Sequence, residues 1–282
     1  MDEPRGVAGA RPVELAAAGD ALHAREREEV EGGAGEDVRF CDKYDHETQS
    51  KINGNLIVLD TQPLVVAKCS GMVVALTVIL HMTHFSNLPA IAARGGLVCE
   101  NRRAAEAIRA VNIAYMNLKT LRGGTSVPVC KGGNLNDYVP FYFAPRSPML
   151  YVISIGGIAG YPDGQEGVVY LVSNAEAVGG AGLPYALTDG HPVVAISGFY
   201  DDLKDLPKID WATMKSRMWN DTPQYPDRRR RRQAEFLVHD FVPISLIQRL
   251  AVKTAATQAK VAALAGLGGW APTVRVLPHL YF

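Results

Sequence analysis

The chain has 282 residues, of which 48% are hydrophobic, and it carries 29 basic and 29 acidic side chains. That length fits one good-sized domain with an appendage, and the apolar fraction is ample for a core. The charge is uneven, because residues 1–50 hold 13 acidic and 6 basic side chains and the remainder therefore has a net charge of +7. A mildly basic body suits an anionic partner such as a dinucleotide or DNA, although many ordinary domains reach that value.

The cysteines exclude two classes of small-domain scaffold. Cys41, Cys69, Cys99 and Cys130 lie far apart and form no CxxC pair, which fits neither a zinc cluster nor a dense disulfide framework. Free thiols in a reducing cytoplasm are the expected state, and the start MDEPRGVAGA has no apolar core of a signal peptide. The longest apolar stretch, residues 64–82, contains Lys68 and is too short on either side to cross a bilayer. We therefore expect a cytoplasmic protein without a membrane partner.

The first part of the chain is predicted to be an acidic, partly disordered extension of unknown role, residues 1–72. Residues 1–37 have low apolar content and a run of charges, which favours disorder, although an amphipathic helix over residues 13–30 is an alternative. The runs NLIVLD (55–60) and PLVVAK (63–68) are typical of strands. Residues 73–282 are predicted to form the main domain.

The main domain begins with a β-rich run, VVALTVILHMT, at residues 73–83. SNLPAIAARGG (86–96) then predicts a short helix with Ser86 as its N-cap and Gly95 and Gly96 as its stop signal. Residues 102–121 have helical spacing of Ala, Ile and Leu, which predicts a second helix.

Further along, YVPFYFA, MLYVISI and VVYLVS (168–173) are strand-like, and residues 210–219 predict another helix. EFLVHDFVPISLIQRLAV, starting at residue 235, predicts a strand, a turn and then a helix or strand. Short strands mixed with short helices and no regular βαβ alternation indicate an α+β domain. Neither GxGxxG nor GxxxxGK[ST] is present, so the common nucleotide-binding motifs do not apply.

The first polar cluster of interest lies on the first strand of the domain. His81 and His84 point to opposite faces of a strand and have no Cys or acidic partner at ligand spacing, so no metal site is predicted. His81 and Thr83 share one face, with Asn87 nearby, and that face suits hydrogen bonds to an amide or a ribose. A histidine satisfied within the core is the structural alternative.

Two further segments carry candidate chemistry. In residues 137–151 alternating aromatics form either a core strand or a wall that stacks a ring, and Pro-Arg-Ser-Pro presents Arg146 in an extended turn. Glu235 starts an apolar strand, and a buried carboxylate is costly unless it is paired or used. The preceding arginines, residues 228–232, would attract phosphates, although a solvated loop is the usual reading of such a run.

Taken together, these segments resemble the DarT family of DNA ADP-ribosyltransferases over residues 78–282. The resemblance depends on ordered blocks: ILHMTHFSNL (79–88), NIAYMNLKTLR (112–122), DYVPFYFAPRSPMLY (137–151), GLPYALTDGHP (182–192) and RRQAEFLVHDFVP (231–243). It implies the ADP-ribosyltransferase fold, in which two small packed β-sheets with surrounding helices form a cleft for NAD. NAD is then a substrate, and no metal is expected.

The resemblance also implies roles for individual residues. The catalytic set is Glu235, Arg122 and His191. The residues expected to bind NAD are His81, Thr83, Asn87, Gly96, Leu97 and Arg122, and those expected to bind DNA are Arg146, Arg228, Arg229, Arg230 and Arg231. A carboxylate at Glu235 would stabilise positive charge developing on the ribose and help to deprotonate the acceptor base.

The activity implied is transfer of ADP-ribose to a base of single-stranded DNA, thymine in preference to guanine, by a toxin paired with a DarG-like macrodomain antitoxin. Two alternatives remain at this point. The first is a protein ADP-ribosyltransferase or NAD glycohydrolase, because acceptor choice depends on loops. The second is a catalytically inactive relative that only binds DNA, against which the presence of Glu235, Arg122 and His191 counts.

Overall fold

The computed structural model describes residues 56–58, 64–69, 72–265 and 269–282. The disorder or helix expected before residue 38 lies outside these residues. Within the described ranges, no helix is both long enough and apolar enough to cross a membrane.

The described chain forms short strands and short helices in alternation. The strands are β1 (Leu56–Val58), β2 (Leu64–Cys69), β3 (Met72–His84), β4 (Gly96–Val98), β5 (Tyr138–Tyr142), β6 (Val168–Asn174), β7 (Tyr185–Thr188), β8 (Phe199–Tyr200), β9 (Glu235–His239), β10 (Phe241–Pro243), β11 (Arg249–Val252) and β12 (Thr273–Val276). The α-helices are α1 (Leu88–Ala93), α2 (Glu100–Ala105), α3 (Met116–Gly123), α4 (Pro148–Ser154), α5 (Ala175–Gly180), α6 (Trp211–Lys215), α7 (Arg228–Arg231) and α8 (Ala255–Ala265).

Ten of these strands lie in one sheet with the order β12-β11-β6-β3-β5-β9-β7-β8, and β2 and β1 are added to β3. The sheet has a weak point between β3 and β5, which are joined by a single residue pair, Leu80 and Tyr142. β3 pairs with β6 over seven residues, and β5 pairs with β9 over five. The sheet therefore consists of two half-sheets that diverge beside β3, and the predicted α+β class is confirmed.

The core fills both faces of this sheet. Every residue of β6 is buried, and aromatic side chains of the 137–151 block, Phe141 and Phe143, are fully buried with Phe236 of β9. Burying a phenylalanine side chain contributes about 1.5–3 kcal/mol. The aromatic block is thus mainly core, and it holds β5 and β9 together at the point where Glu235 enters the sheet.

Two predicted elements are wrong, one because of a contact distant in the chain and one because of a local helix cap. Residues 102–121 form two helices, α2 and α3, because Val111 between them is bonded through its backbone N and O to the Asn87 side chain. MLYVISI belongs to helix α4 because Ser147 caps it, accepting a hydrogen bond from the Leu150 N–H at 3.3 Å, with Pro148 in the first turn. Ser-Pro suits a helix start as well as an extended turn.

The helix after β3 is confirmed with a different cap. α1 follows a 3-10 turn at Phe85–Asn87, so Asn87 and not Ser86 is its N-cap. Gly95 ends it with a φ of 70°, a left-handed conformation that favours glycine. Gly96 then starts β4, where a Cβ would overlap the Val242 carbonyl and the Phe241 ring of the paired strand β10.

Candidate active site

A cavity of about 390 Å³ opens where the two half-sheets diverge, a volume within the usual range for ligand pockets of about 300–1,000 Å³. β3, β4, α3, β5, β9 and the segment of residues 108–114 contribute to its wall. The six residues predicted to bind NAD line it, and so does the predicted catalytic glutamate: His81, Thr83, Asn87, Gly96, Leu97, Arg122 and Glu235. These seven residues therefore lie around one cavity.

His81 lies on β3 at the divergence of the sheet. Its Nδ1 is 2.8 Å from the carbonyl oxygen of Pro140 on β5. Because a carbonyl only accepts, Nδ1 carries the proton and Nε2 is left as an acceptor. Burial lowers the pKa of His81, which keeps the ring neutral. A neutral acceptor at this position suits the N–H of a carboxamide.

Asn87 uses its whole side chain to hold the segment above the cavity. Its Nδ2 donates to Thr83 Oγ1 and to the Val111 carbonyl, both at 3.0 Å, and its Oδ1 accepts from the Val111 N–H at 2.8 Å. These bonds fasten residues 108–114 to the end of β3, where they form part of the cavity wall. The amide of Asn87 thus shapes the pocket through Val111.

Glu235 is the first residue of β9 and lies opposite Tyr142 of β5. It is 2% exposed. Arg122 Nη1 donates to its Oε1 at 3.0 Å and to its Oε2 at 2.9 Å. Burial raises the pKa of Glu235, and the charge and hydrogen bonds of Arg122 oppose that rise. The backbone N–H of Glu235 donates to Thr188 Oγ1 at 3.0 Å, which fixes the start of the strand.

Arg122 reaches the carboxylate from the last turn of α3, and its side chain is 11% exposed. Its Nη2 is buried and makes no hydrogen bond to any described residue. A buried guanidinium nitrogen without a partner is costly, and it is available to an oxygen of a bound substrate. Arg122 therefore holds Glu235 with one nitrogen and presents the other.

His191 lies in the turn after β7. Its backbone N–H donates to the Arg230 carbonyl at 2.9 Å, and its Nδ1 is buried with no hydrogen bond in the described part of the chain. Burial, with a further contribution from the charge of Arg122, lowers the pKa of His191 to about 4. The ring is therefore neutral at physiological pH, and it is not part of the cavity wall. It approaches the site from the side of Arg122.

The predicted DNA-binding arginines fall into different environments. α7 places Arg229 and Arg231 at the surface, where they pair with Asp221 and Asp227. The guanidinium of Arg228 lies 4.6 Å from the centre of the Tyr225 ring, and that ring is 59% exposed. Arg230 is largely buried.

Arg146 and Arg232 are less exposed than Arg229 and Arg231. Arg146 is half-buried and has a φ of 52°, a left-handed conformation that is uncommon for arginine. Arg232, which ends the arginine run, is 2% exposed and donates to the carbonyls of Thr213, Met214, Ser216 and Pro145. Arg232 therefore holds the segment after α6 against the segment after β5.

Thr188 is the residue that the sequence did not single out. It is fully buried, accepts from the Glu235 N–H and donates to the Gly190 carbonyl at 2.8 Å. It joins the strand of Glu235 to the turn of His191. Its place in the TDGHP segment was visible, but a threonine at a strand end has no feature that separates this role from ordinary packing.

Among the described residues, no three His, Cys, Asp or Glu side chains are grouped as metal ligands. His81 faces the cavity, whereas the ring of His84 lies near Asp163, with Nε2 3.1 Å from Oδ2.

The model of the family described as DarT, ssDNA thymidine ADP-ribosyltransferase, matches residues 80–282. A protein of Thermus sp. strain 2.9 named DNA ADP-ribosyl transferase is 42% identical over 176 residues, covering 62% of this chain and 81% of that one.

Solved structures are similar over most of the chain. The Thermus sp. 2.9 DarT in complex with ADP-ribosylated ssDNA is 37% identical with a TM-score of 0.68, and it covers 73% of this chain and 96% of its own. The same protein in complex with NAD+ matches with 36% identity and a TM-score of 0.64, covering 73% and 98%. The resemblance noted in the sequence blocks is confirmed by these matches.

Proposed function

This chain belongs to the DarT family, and from that premise we propose that the base it modifies is thymine. It is an NAD-dependent DNA ADP-ribosyltransferase that acts on single-stranded DNA. The observation that supports this activity best is the buried pair of Glu235 and Arg122 in the wall of the cavity that His81, Thr83 and Asn87 also line.

The residues present fit NAD on three counts. His81 offers a neutral acceptor, Arg122 has a buried nitrogen without a partner among the described residues, and the buried carboxylate of Glu235 lies beside both in the cavity wall. Gly96 and Leu97 add an uncharged part of the cavity wall. We propose that His81, Thr83, Gly96 and Leu97 surround the nicotinamide and its amide, and that Asn87 shapes their wall.

When bound, NAD supplies the bond between nicotinamide and ribose, whose cleavage develops positive charge on the ribose carbon. The ionised Glu235 stabilises that charge in a site where little water screens it. It is also the base positioned to receive the proton that the acceptor nitrogen of thymine loses. Arg122 holds the carboxylate with Nη1 and donates from Nη2 to a substrate oxygen. His191 is neutral in this site, so its ring can form one hydrogen bond with the base, either as donor or as acceptor.

The DNA is proposed to approach across α7. Arg228, Arg229 and Arg231 with Arg146 would contact phosphates, and the exposed Tyr225 ring, already stacked on Arg228, offers a base a stacking surface. We place the reaction in the cytoplasm, where the free thiols of Cys99 and Cys130 are expected to persist. A toxin role with a DarG-like macrodomain antitoxin follows from the family and is part of the proposal.

We further propose that residues 73–282 form the catalytic domain and residues 1–72 an acidic extension, of which β1 and β2 join the sheet of the domain through β3. The family model, which begins at residue 80, and the charge difference between the two parts support this division.

The direct test is to incubate the protein with NAD and single-stranded oligonucleotides of mixed sequence and to weigh the DNA by mass spectrometry. The expected result is a gain of one ADP-ribose unit on oligonucleotides that contain thymine, absent with Glu235→Ala. Modification of thymine-free DNA alone would overturn the base assignment. NAD consumption without a DNA adduct would overturn DNA as the acceptor.

A further inference from the structure

The five consecutive arginines of residues 228–232 are not equivalent, and Arg230 differs most from its neighbours on α7. Its side chain is 13% exposed, against 46% for Arg229 and 49% for Arg231. Exposure of this kind separates a guanidinium that can reach a phosphate in solution from one that cannot. Arg230 therefore has to be explained by its contacts within the protein.

Those contacts occupy all three nitrogens of the Arg230 guanidinium. Nε and Nη2 donate to the two carboxylate oxygens of Asp227 at 2.8 and 2.7 Å. Nη1 donates to Asp189 Oδ1 at 2.9 Å and to Ser197 Oγ at 3.1 Å. The Asp227 pair is bidentate, which fixes the plane of the guanidinium, and the Nη1 bonds direct it at the segment that contains His191.

The partners of Nη1 lie on both sides of His191 in the chain. Asp189 precedes His191 by two residues, and Ser197 follows it and donates to the His191 carbonyl at 2.7 Å. The Arg230 carbonyl also accepts the His191 N–H at 2.9 Å. The backbone of His191 is thus held at both its N–H and its carbonyl, while ring Nδ1 has no hydrogen bond among the described residues.

Gly190 provides independent support for this coupling. A Cβ at position 190 would overlap the Arg230 guanidinium, so the turn and the arginine pack together only because residue 190 is glycine. The Gly190 carbonyl accepts from Thr188 Oγ1, which in turn accepts the Glu235 N–H. The packing of Arg230 on this turn therefore continues to the catalytic carboxylate.

We propose that Arg230 is a positioning residue that holds the His191 turn in the reactive arrangement, whereas Arg229 and Arg231 serve the DNA backbone. This inference rests on the proposed function for the role of His191. It predicts that the arginine run divides by its contacts: Arg230 acts on the rate of transfer, and its exposed neighbours act on the affinity for DNA.

Three variants separate the two roles by steady-state transfer to a thymine-containing oligonucleotide. Arg230→Ala removes a charge and the bonds of Arg230 to Asp227, Asp189 and Ser197. Gly190→Ala disturbs those bonds and keeps every charge, and Arg231→Ala removes a charge and keeps the bonds of Arg230. We expect Arg230→Ala and Gly190→Ala each to lower kcat about 10-fold or more, with less than a threefold change in KM for DNA and an unchanged salt dependence. Arg231→Ala should instead raise KM for DNA and flatten its salt dependence.

A second readout does not depend on activity. In an NMR titration the ring of His191, whose pKa burial lowers to about 4, should titrate closer to its ordinary value of 6.5 in Arg230→Ala and Gly190→Ala, because a loosened turn exposes the ring to water. Arg231→Ala should leave it unchanged. Gly190→Ala serves alone if Arg230→Ala does not fold.

The proposal is overturned if Arg230→Ala behaves like Arg231→Ala in KM and salt dependence, or if the His191 titration is the same in wild type and Gly190→Ala. If the wild-type protein transfers no ADP-ribose to DNA, that result counts against the proposed function. The His191 titration then still decides whether Arg230 positions the turn.

Discussion

The two ends of the cavity are built differently. At the β3 end, the polar side chains are bonded to one another or to backbone: His81 to Pro140, and Asn87 to Thr83 and Val111. At the β9 end, Arg122 Nη2 is buried without a partner in the described chain, and so is Nδ1 of His191, which lies in the turn outside the cavity wall. Each such group costs about 1–3 kcal/mol of stability. From this difference we propose that the first end is a preformed binding wall and that the second provides groups for the reacting atoms.

The largest effect is expected at the β9 end from Glu235→Gln, which keeps the shape of the side chain and removes its charge. Transfer to DNA should fall by about 1,000-fold or more, because the developing positive charge and the acceptor proton both lose their partner. Single-turnover transfer of labelled ADP-ribose measures it. A variant that retains more than a tenth of the rate would break the comparison by showing that Glu235 is part of the wall only.

The second prediction concerns the geometry of Arg122. Arg122→Lys keeps the charge but cannot hold Glu235 with one nitrogen while presenting another in a fixed fork, so kcat should fall about 100-fold. KM for NAD should change far less. Steady-state kinetics at saturating DNA provide the measurement, with Lys260→Arg on α8, an exposed residue that does not line the cavity, as a control. Full activity of Arg122→Lys would contradict this prediction, because it would show that the reaction needs the positive charge at position 122 but not the planar donors of arginine.

At the β3 end a smaller effect of another kind is expected. Asn87→Ala releases Val111 and the segment of residues 108–114 from the wall, so KM for NAD should rise about 10-fold while kcat stays within threefold. The midpoint temperature of thermal unfolding should also fall, because three hydrogen bonds of the Asn87 amide are lost. A fall in kcat with unchanged KM would place Asn87 with the reacting groups and erase the distinction between the two ends.

The smallest effect is on the pH profile. Glu235 has to be ionised to act, and burial raises its pKa above the ordinary 4.5, against the opposing effect of Arg122. The rate should therefore rise with pH through that raised pKa and then level off. His191, with a pKa of about 4, adds no limb near neutrality. Rates at saturating NAD and DNA, with circular dichroism as a control for folding, measure the profile. A rate that falls as pH rises toward neutrality would contradict it.

The elements and residues that could be predicted from the sequence are those whose signal lies in neighbouring residues of the chain. The β-rich run at residues 73–83 and the stop signal at Gly95 were sufficient to predict β3 and the end of α1. A carboxylate opening an apolar strand was sufficient to mark Glu235. These features depend on neighbours in the chain, which a sequence displays directly.

The features that could not be predicted depend on contacts between distant residues or on residues that suit two conformations equally well. Glu235 and Arg122 are 113 residues apart, and nothing in either segment specifies that one nitrogen binds both carboxylate oxygens. The start of α4 was missed because Ser147 followed by proline suits a helix cap and an extended turn equally well. Arg230 and Arg231 are identical residues in consecutive positions, so only the packing of α7 on the turn at Asp189 distinguishes them.

The most direct test of a binding end and a reacting end is the affinity for NAD of Glu235→Gln and Asn87→Ala, measured by titration calorimetry beside the wild type. We predict that the affinity of Glu235→Gln for NAD lies within about threefold of the wild-type value, although its transfer to DNA falls by about 1,000-fold or more. The affinity of Asn87→Ala should be about 10-fold lower. Equal losses in both variants, or a loss confined to Glu235→Gln, would contradict the division of the cavity.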